Sequence, residues 1–333
     1  MNKDFLITSD FSYAQLDSLL ETAVRYKTGA NSSTPLAGKS VALVFFNPSL
    51  RTRASMQVGI YELGGNPVIL EPGSTSWTLE HRDGVVMDGD KTEHLKEFVR
   101  VLERYVSAIG VRTFAELKDW KIERTDPILN AFAKYATVPM INLESAMHHP
   151  CQAMADMMTI RERLGKEKKK VLLTWAWHPK PLPMAVPNSF SLAAAQFGHD
   201  LRIAHPKGYE LDEELIESIN EQASANGGSV EFTNDVDAAF EDAEVVYAKS
   251  WGGKDFYGNP EADILERSQH RAKWIVDESK MKRSKEAIFM HCLPVRRNVI
   301  VTDGVIDSPQ SVVIDEAGNR LPIQKAIMTE LIK

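Results

Sequence analysis

Two hydroxyls and two guanidinium groups fall within five positions at Ser49, Leu50, Arg51, Thr52 and Arg53. An apolar run, "SVALVFF" (40–46), precedes them and a helical pattern over 51–63 follows. A helix N-terminus already carries free N–H groups and partial positive charge. Arginines added there oppose the dipole, so an ordinary surface helix gains nothing from them, whereas a bound anion reverses that balance. Backbone N–H groups, hydroxyls and arginine forks together suit a phosphate or another oxyanion. The plainer reading is an N-capping Ser49 followed by solvent-facing arginines. Arg53, two positions into the new helix, turns to another side and suits an anchoring role.

Other polar groups also gather just behind apolar runs. Arg112 ends "SAIGV", where a parallel sheet aims it into a ligand crevice, or else into solvent. His149, Pro150 and Gln152 open a helix after the run "VPMIN". A histidine beside a helix N-terminus stays neutral and can donate to a carbonyl oxygen. His291, Cys292, Leu293, Pro294, Arg296 and Arg297 follow "AIFM". Zinc is the competing reading of these histidines and cysteines, but no paired close spacing supports it. Trp77 stands in the polar stretch "GSTSW", which suits a ligand or partner surface better than a core. The acidic stretch 83–94 reads as a solvated loop with Asp90 capping the next helix.

Short, β-branched, nearly continuous apolar runs must position these groups. They lie at 40–46, 66–70, 106–112, 138–142, 170–177, 200–205, 229–233, 243–249, 274–277 and 286–291. Helical spacing between them covers 51–63, 91–105, 150–164, 187–197 and 211–225. Such alternation predicts an α/β fold of parallel strands covered on both faces. The segment 251–263 is rich in glycine and turn formers and reads as a mobile loop. No G-x-G-x-x-G follows any strand, which argues against a dinucleotide. The 333 residues suffice for about two domains, with a boundary near 143–150. The net charge of −7 argues against nucleic acid but not against an anionic small molecule. Two cysteines and no apolar signal core at the start imply a cytoplasmic protein without a membrane partner.

Taken together, the clusters resemble the aspartate/ornithine carbamoyltransferases. Ser49-Leu50-Arg51-Thr52-Arg53 is similar to their S-x-R-T-R motif, His149-Pro150-Cys151-Gln152 to H-P-x-Q, and His291-Cys292-Leu293-Pro294 to H-C-L-P. The resemblance implies two doubly wound parallel-sheet domains, 1–147 for carbamoyl phosphate and 148–315 for the amino acid. A C-terminal helix, 316–333, would return to the first domain. It implies that Ser49, Leu50, Arg51, Thr52, Trp77, Arg112, His149, Gln152 and Arg296 hold carbamoyl phosphate. Arg112, His149, Gln152, Thr52 and Cys292 would be catalytic, with no metal and no cofactor required.

One departure from the ornithine branch is informative. Where those enzymes hold a free α-ammonium with an Asp and a Ser-Met-Gly loop, this chain reads "VVYAKSWGG", with Lys249. A lysine repels an α-ammonium and pairs with an α-carboxylate. The chain therefore resembles the N-acylornithine carbamoyltransferases of arginine biosynthesis. By that resemblance Thr92, Glu144, His178, Lys249, Cys292, Leu293 and Arg320 bind the N-acylornithine. The enzyme would be a homotrimer whose Trp77 and Thr92 loop serve the neighbouring subunit's site. Thr92 stands where the acetylornithine type has a Glu and the succinylornithine type a Pro. A threonine removes a carboxylate that would repel a succinyl group, so the expected substrate is N-succinyl-L-ornithine, with N-acetyl-L-ornithine the alternative.

Overall fold

The computed structural model describes residues 3–333. Met1 and Asn2, part of the start read above as lacking a signal core, lie outside them. The chain divides into two compact units. One takes in the chain up to Glu116, Lys121–Cys151 and Arg320–Lys333; the other takes in Leu117–Trp120 and Gln152–Asn319.

The first unit is built on β1 (Ser40–Phe45), whose residues Val41, Ala42, Leu43 and Val44 have no exposure. β2 is Asn66–Leu70, the short β3 is Leu79–Glu80, β4 is Glu93–His94, β5 is Ala108–Arg112 and β6 is Met140–Glu144. The main sheet runs β2-β1-β5-β6 with every neighbour parallel. Helices Arg51–Glu62, Leu95–Leu102 and Pro127–Tyr135 lie in the crossovers. A Cβ at Gly110 would come within 2.9 Å of the Leu143 side chain and 3.2 Å of Leu43, so any larger residue at the centre of β5 would have to displace them. From Arg320 onward the helix Val313–Leu331 packs into this unit. Lys325 Nζ donates to Glu62 at 2.7 Å, and the hydroxyls of Tyr26 and Thr329 meet at 2.8 Å.

In the second unit β7 is Lys170–Trp175, β8 Asp200–Ala204, β9 Ser229–Thr233, β10 Val245–Lys249 and β11 Ile288–Met290. They form a parallel sheet in the order β11-β10-β7-β8-β9. The helix Ala185–Gln196 is buried along its whole length, its polar Asn188, Ser189, Ser191 and Gln196 included. The expected α/β class with parallel sheets is what the chain forms.

Each sheet reverses its strand order once, between β1 and β5 and between β7 and β10. The crevice beyond the carboxyl ends at such a reversal is where open α/β sheets bind ligands. β1 leads there to Ser49–Arg53 and β5 ends on Arg112; β7 leads to His178 and β10 ends on Lys249.

Some expectations need correction. The run 274–277 is no strand; it makes one isolated bridge, Val276 with Val301. The helix expected over 91–105 covers only Leu95–Leu102, because Glu93 and His94 pair with β3. Its cap is His94, whose ring accepts from Lys96 N at 3.1 Å, and not Asp90. The segment 251–263 is no simple loop: Trp251 is fully buried, Gly252 N donates to Leu182 O at 2.8 Å, and a helix starts at Pro260. The C-terminal helix starts at Val313.

Candidate active site

The end of β1 is tied to the end of β5. Phe46 N donates to Arg112 O at 3.0 Å, and Asn47 Oδ1 accepts from Phe114 N at 2.7 Å. The helix Arg51–Glu62 then begins with Leu50 at its cap and no side-chain cap bond, so Ser49 does not act as an N-cap. The first-turn N–H groups have no partner within the helix, as at any helix start. Arg53 Nη1 is anchored to Glu71 Oε1 at 2.5 Å.

Thr52 is buried, and its Oγ1 accepts from Arg320 Nη2 at 2.7 Å, with Arg112 Nη1 at 3.5 Å. Since that oxygen accepts, its hydrogen is directed elsewhere and can donate. Arg320 comes from the C-terminal helix, so in this unit it joins Thr52, although the resemblance assigns it to the amino acid. Arg112 Nη1 donates to Glu144 Oε2 at 2.6 Å. The two are register partners across a bulge between β5 and β6, and Glu144 has φ of 140°, a backbone region that favours glycine. The expected strand at 138–142 lies two residues later, which is why Glu144 becomes its last residue. His149 Nε2 lies 3.4 Å from the same carboxylate oxygen. Burial holds its imidazole well below its usual range, and Arg320 and Arg112 add to the effect. His149 is therefore a neutral donor at physiological pH.

The turn that carries Glu144 and His149 hangs on Asp126. This carboxylate accepts from Ser145 Oγ at 2.8 Å, Ala146 N at 2.7 Å and Met147 N at 3.2 Å. Cys151, just beyond, is buried with its thiol pushed up to about 12, chiefly by desolvation. It is a packing residue. Trp77 is 56% exposed, and its indole N–H donates to Glu93; Thr92 is exposed, with its N–H on Thr78 O at 3.2 Å.

In the second unit Gln152 sits in the first turn of the helix Pro150–Leu164. Its Nε2 donates to Asp156 Oδ1 at 2.7 Å and Glu316 Oε1 at 3.2 Å. His178 Nε2 accepts from Arg296 Nε at 3.0 Å, so Nδ1 carries the hydrogen and donates to Lys180 O at 2.8 Å. Desolvation lowers the pKa of His178 to about 4, so it is neutral. Lys249 is buried at the end of β10 and donates to Ser250 O at 3.0 Å. Behind it the fully buried Arg267 pairs with Asp263 and donates to the carbonyls of His178 and Trp251, both at 3.3 Å. After β11, Leu293 N donates to His291 Nδ1 at 2.9 Å, which shapes the turn holding half-buried Cys292.

The structure thus gathers Thr52, Arg112, Glu144, His149 and Arg320 in one unit. In the other it joins His178 to Arg296 and sets Lys249 at the same sheet reversal. It also shows supports that sequence reasoning passed over: Asp126, Asp156, Arg267 and Glu316. Two left a local signal, since Asp156 is four residues after Gln152 and Arg267 four after Asp263 on helices. Asp126 and Glu316 reach their partners only through tertiary folding. Chemically, the first set offers hydroxyl, guanidinium and imidazole donors suited to an oxyanion or polarised carbonyl. The second offers a buried ammonium suited to a carboxylate.

Residues 3–162 match the family model described as aspartate/ornithine carbamoyltransferase, carbamoyl-P binding domain. Residues 183–331 match its Asp/Orn binding domain. The chain is 48% identical over 336 residues to N-acetylornithine carbamoyltransferase of Xanthomonas campestris pv. campestris, covering 99% of this chain and 98% of that one. It is 42% identical over 295 residues to N-succinylornithine carbamoyltransferase of Bacteroides thetaiotaomicron, covering 89% and 88%. Among solved structures it resembles a glutamate-to-alanine variant of N-acetyl-L-ornithine transcarbamylase complexed with carbamyl phosphate and N-succinyl-L-norvaline. That likeness has a TM-score of 0.97 at 46% identity and covers 99% of this chain and 100% of that one.

Proposed function

The chain belongs to the aspartate/ornithine carbamoyltransferase family, and on that premise we propose that it carbamoylates the δ-amine of an N-acylornithine, with N-acetyl-L-ornithine as substrate. The observation that carries the acyl reading is Lys249, a buried ammonium at the sheet reversal of the second unit. It attracts an α-carboxylate and would repel an unblocked α-ammonium. The choice of acetyl rests on the relatives: 48% identity to an N-acetylornithine enzyme against 42% to an N-succinylornithine one. These support the acetyl substrate better than the succinyl substrate expected from Thr92.

In this scheme the phosphate of carbamoyl phosphate lies on the N–H groups of the helix start at Arg51, with Ser49 and Arg51 beside it. Thr52, Arg112 and His149 donate to the carbonyl oxygen. The neutral δ-amine attacks the carbonyl carbon, a C–N bond forms, and negative charge grows on that oxygen. Donors already in place stabilise it. The C–O bond to phosphate then breaks, and the proton lost by the amine leaves with the phosphate. Gln152 orients the carbamoyl NH2, Arg296 serves the leaving phosphate, and His178, Lys249, Cys292 and Leu293 receive the amino acid. The assembly is a homotrimer in which Trp77, half-exposed on its loop, serves a neighbouring copy. Sedimentation at the mass of a single chain would exclude that.

Thr92 favours a second reading, N-succinyl-L-ornithine, because it places no carboxylate against a succinyl tail. The relative solved with N-succinyl-L-norvaline is itself a glutamate-to-alanine variant. One experiment separates the readings: ureido product formed from carbamoyl phosphate with ornithine, N-acetylornithine and N-succinylornithine in parallel. N-acetylornithine should give the highest kcat/KM. Preference for N-succinylornithine, lowered by Thr92→Glu, would establish the second reading; turnover of free ornithine alone would overturn both.

A further inference from the structure

Gln152 presents a carboxamide, which has a donor end and an acceptor end of nearly equal shape. Which end faces a ligand decides whether the group can accept a hydrogen bond or only donate one. Here the choice is enforced from behind. Asp156 Oδ1 takes Gln152 Nε2 at 2.7 Å and Glu316 Oε1 takes the same nitrogen at 3.2 Å. Both acids have no solvent exposure. If the amide turned over, its oxygen would face two buried carboxylate oxygens, a repulsive arrangement at low dielectric. The NH2 end is therefore held on the acids, and the oxygen is the end directed away from them.

Glu316 has a second attachment. Its Oε2 accepts from His291 N at 2.9 Å, so one carboxylate holds both the Gln152 amide and the start of the turn that carries Cys292 and Leu293. Asp156 lies one helical turn after Gln152, whereas Glu316 comes from the C-terminal helix.

We infer that Asp156 and Glu316 are positioning residues that lock the Gln152 carboxamide with its oxygen outward, making it a reader of the carbamoyl NH2 that favours carbamoyl phosphate over acyl phosphates. This rests on the placement of Gln152 at the carbamoyl group given above. A carbamoyl group offers two N–H hydrogens to that oxygen; an acetyl group presents a methyl and offers none. Discrimination between the two phosphates then depends on the direction of one amide, and that direction depends on two acids that do not themselves touch the substrate.

The test uses the full-length enzyme with Asp156→Asn and, separately, Glu316→Gln. Each keeps the size of the side chain but supplies an NH2 group that Gln152 can face with its oxygen. The Kd for carbamoyl phosphate and the Ki for acetyl phosphate, as a competitor of carbamoyl phosphate, are measured side by side. Carbamoyl phosphate should weaken about 10-fold, the worth of one hydrogen bond, while acetyl phosphate stays within about twofold. In a Gln152→Ala background either change should add no further loss of discrimination. Parallel weakening of both ligands, or no change in either, would overturn the proposal, since a merely structural role moves both together. If one variant fails to fold, the other decides alone. Failure of the functional reading is seen separately, in the unsubstituted enzyme: with no carbamoyl phosphate binding, both ideas fall.

Discussion

Glu144 meets two demands with one carboxylate. Its Oε2 takes the Arg112 guanidinium at 2.6 Å and lies 3.4 Å from His149 Nε2, the donors assigned above to the carbamoyl oxygen. A carbonyl oxygen arriving at Arg112 must therefore compete with Glu144, which also has an expected role toward the amino acid. Removing the charge weakens the competitor without removing the donors. Glu144→Gln should thus tighten carbamoyl phosphate by roughly 3- to 10-fold, the span of a weakened charge-assisted hydrogen bond, and raise KM for the N-acylornithine. Calorimetry and steady-state kinetics check the two halves; weaker carbamoyl phosphate binding would show that Glu144 helps to hold it.

At the scale of elements, the turn between β6 and the helix Pro150–Leu164 sets the site's geometry. It holds Glu144 at one end and His149 at the other, and Asp126 is its anchor with three accepted hydrogen bonds. Asp126→Ala should destabilise the protein by about 2–3 kcal/mol, whereas Asp126→Asn, which can still accept from the two N–H groups, should cost about 1 kcal/mol or less. Denaturant unfolding at pH 7 measures both; equal losses would remove Asp126 from this role. Burial raises its carboxyl to about 6, against the pull of those bonds. The folded chain then binds a proton more tightly than the unfolded chain, whose value is near 3.8. Stability from this group is present below that value and is lost as pH rises through about 6. Asp126→Asn should abolish this window.

Across the whole molecule the acid response runs the other way. His148, His178 and His199 are lowered to about 4, mainly by burial, and His149 lies well below its usual range. For each, the unfolded chain binds the proton first, near 6.5, so stability is lost as pH falls from there, toward about 4 for His148, His178 and His199. These histidines act against Asp126 and against Asp4 and Asp10, whose carboxyls burial also raises, and Tm should fall across that interval. His199→Gln, remote from the proposed chemistry, should flatten the slope of Tm against pH; an unchanged slope would place the acid response elsewhere. Among the described residues no helix is long and apolar enough to cross a membrane.

The alternating apolar runs already determined the α/β class, and the motifs at 49–53, 149–152 and 291–294 carried the resemblance to the carbamoyltransferase family, because each is written locally along the chain. Lys249 in place of a Ser-Met-Gly loop likewise carries the proposal of an acylated substrate. Tertiary structure alone decided which donors stand together. Arg112 meets Glu144 through the β5–β6 register, and Arg320 meets Thr52 across 268 positions. Asp156 and Glu316 close on Gln152 from positions four residues and 164 residues away. A hydrogen bond acts over about 3 Å in space whatever the separation in sequence. A chain read one residue after another shows which groups exist, and only the fold sets the distances at which they act.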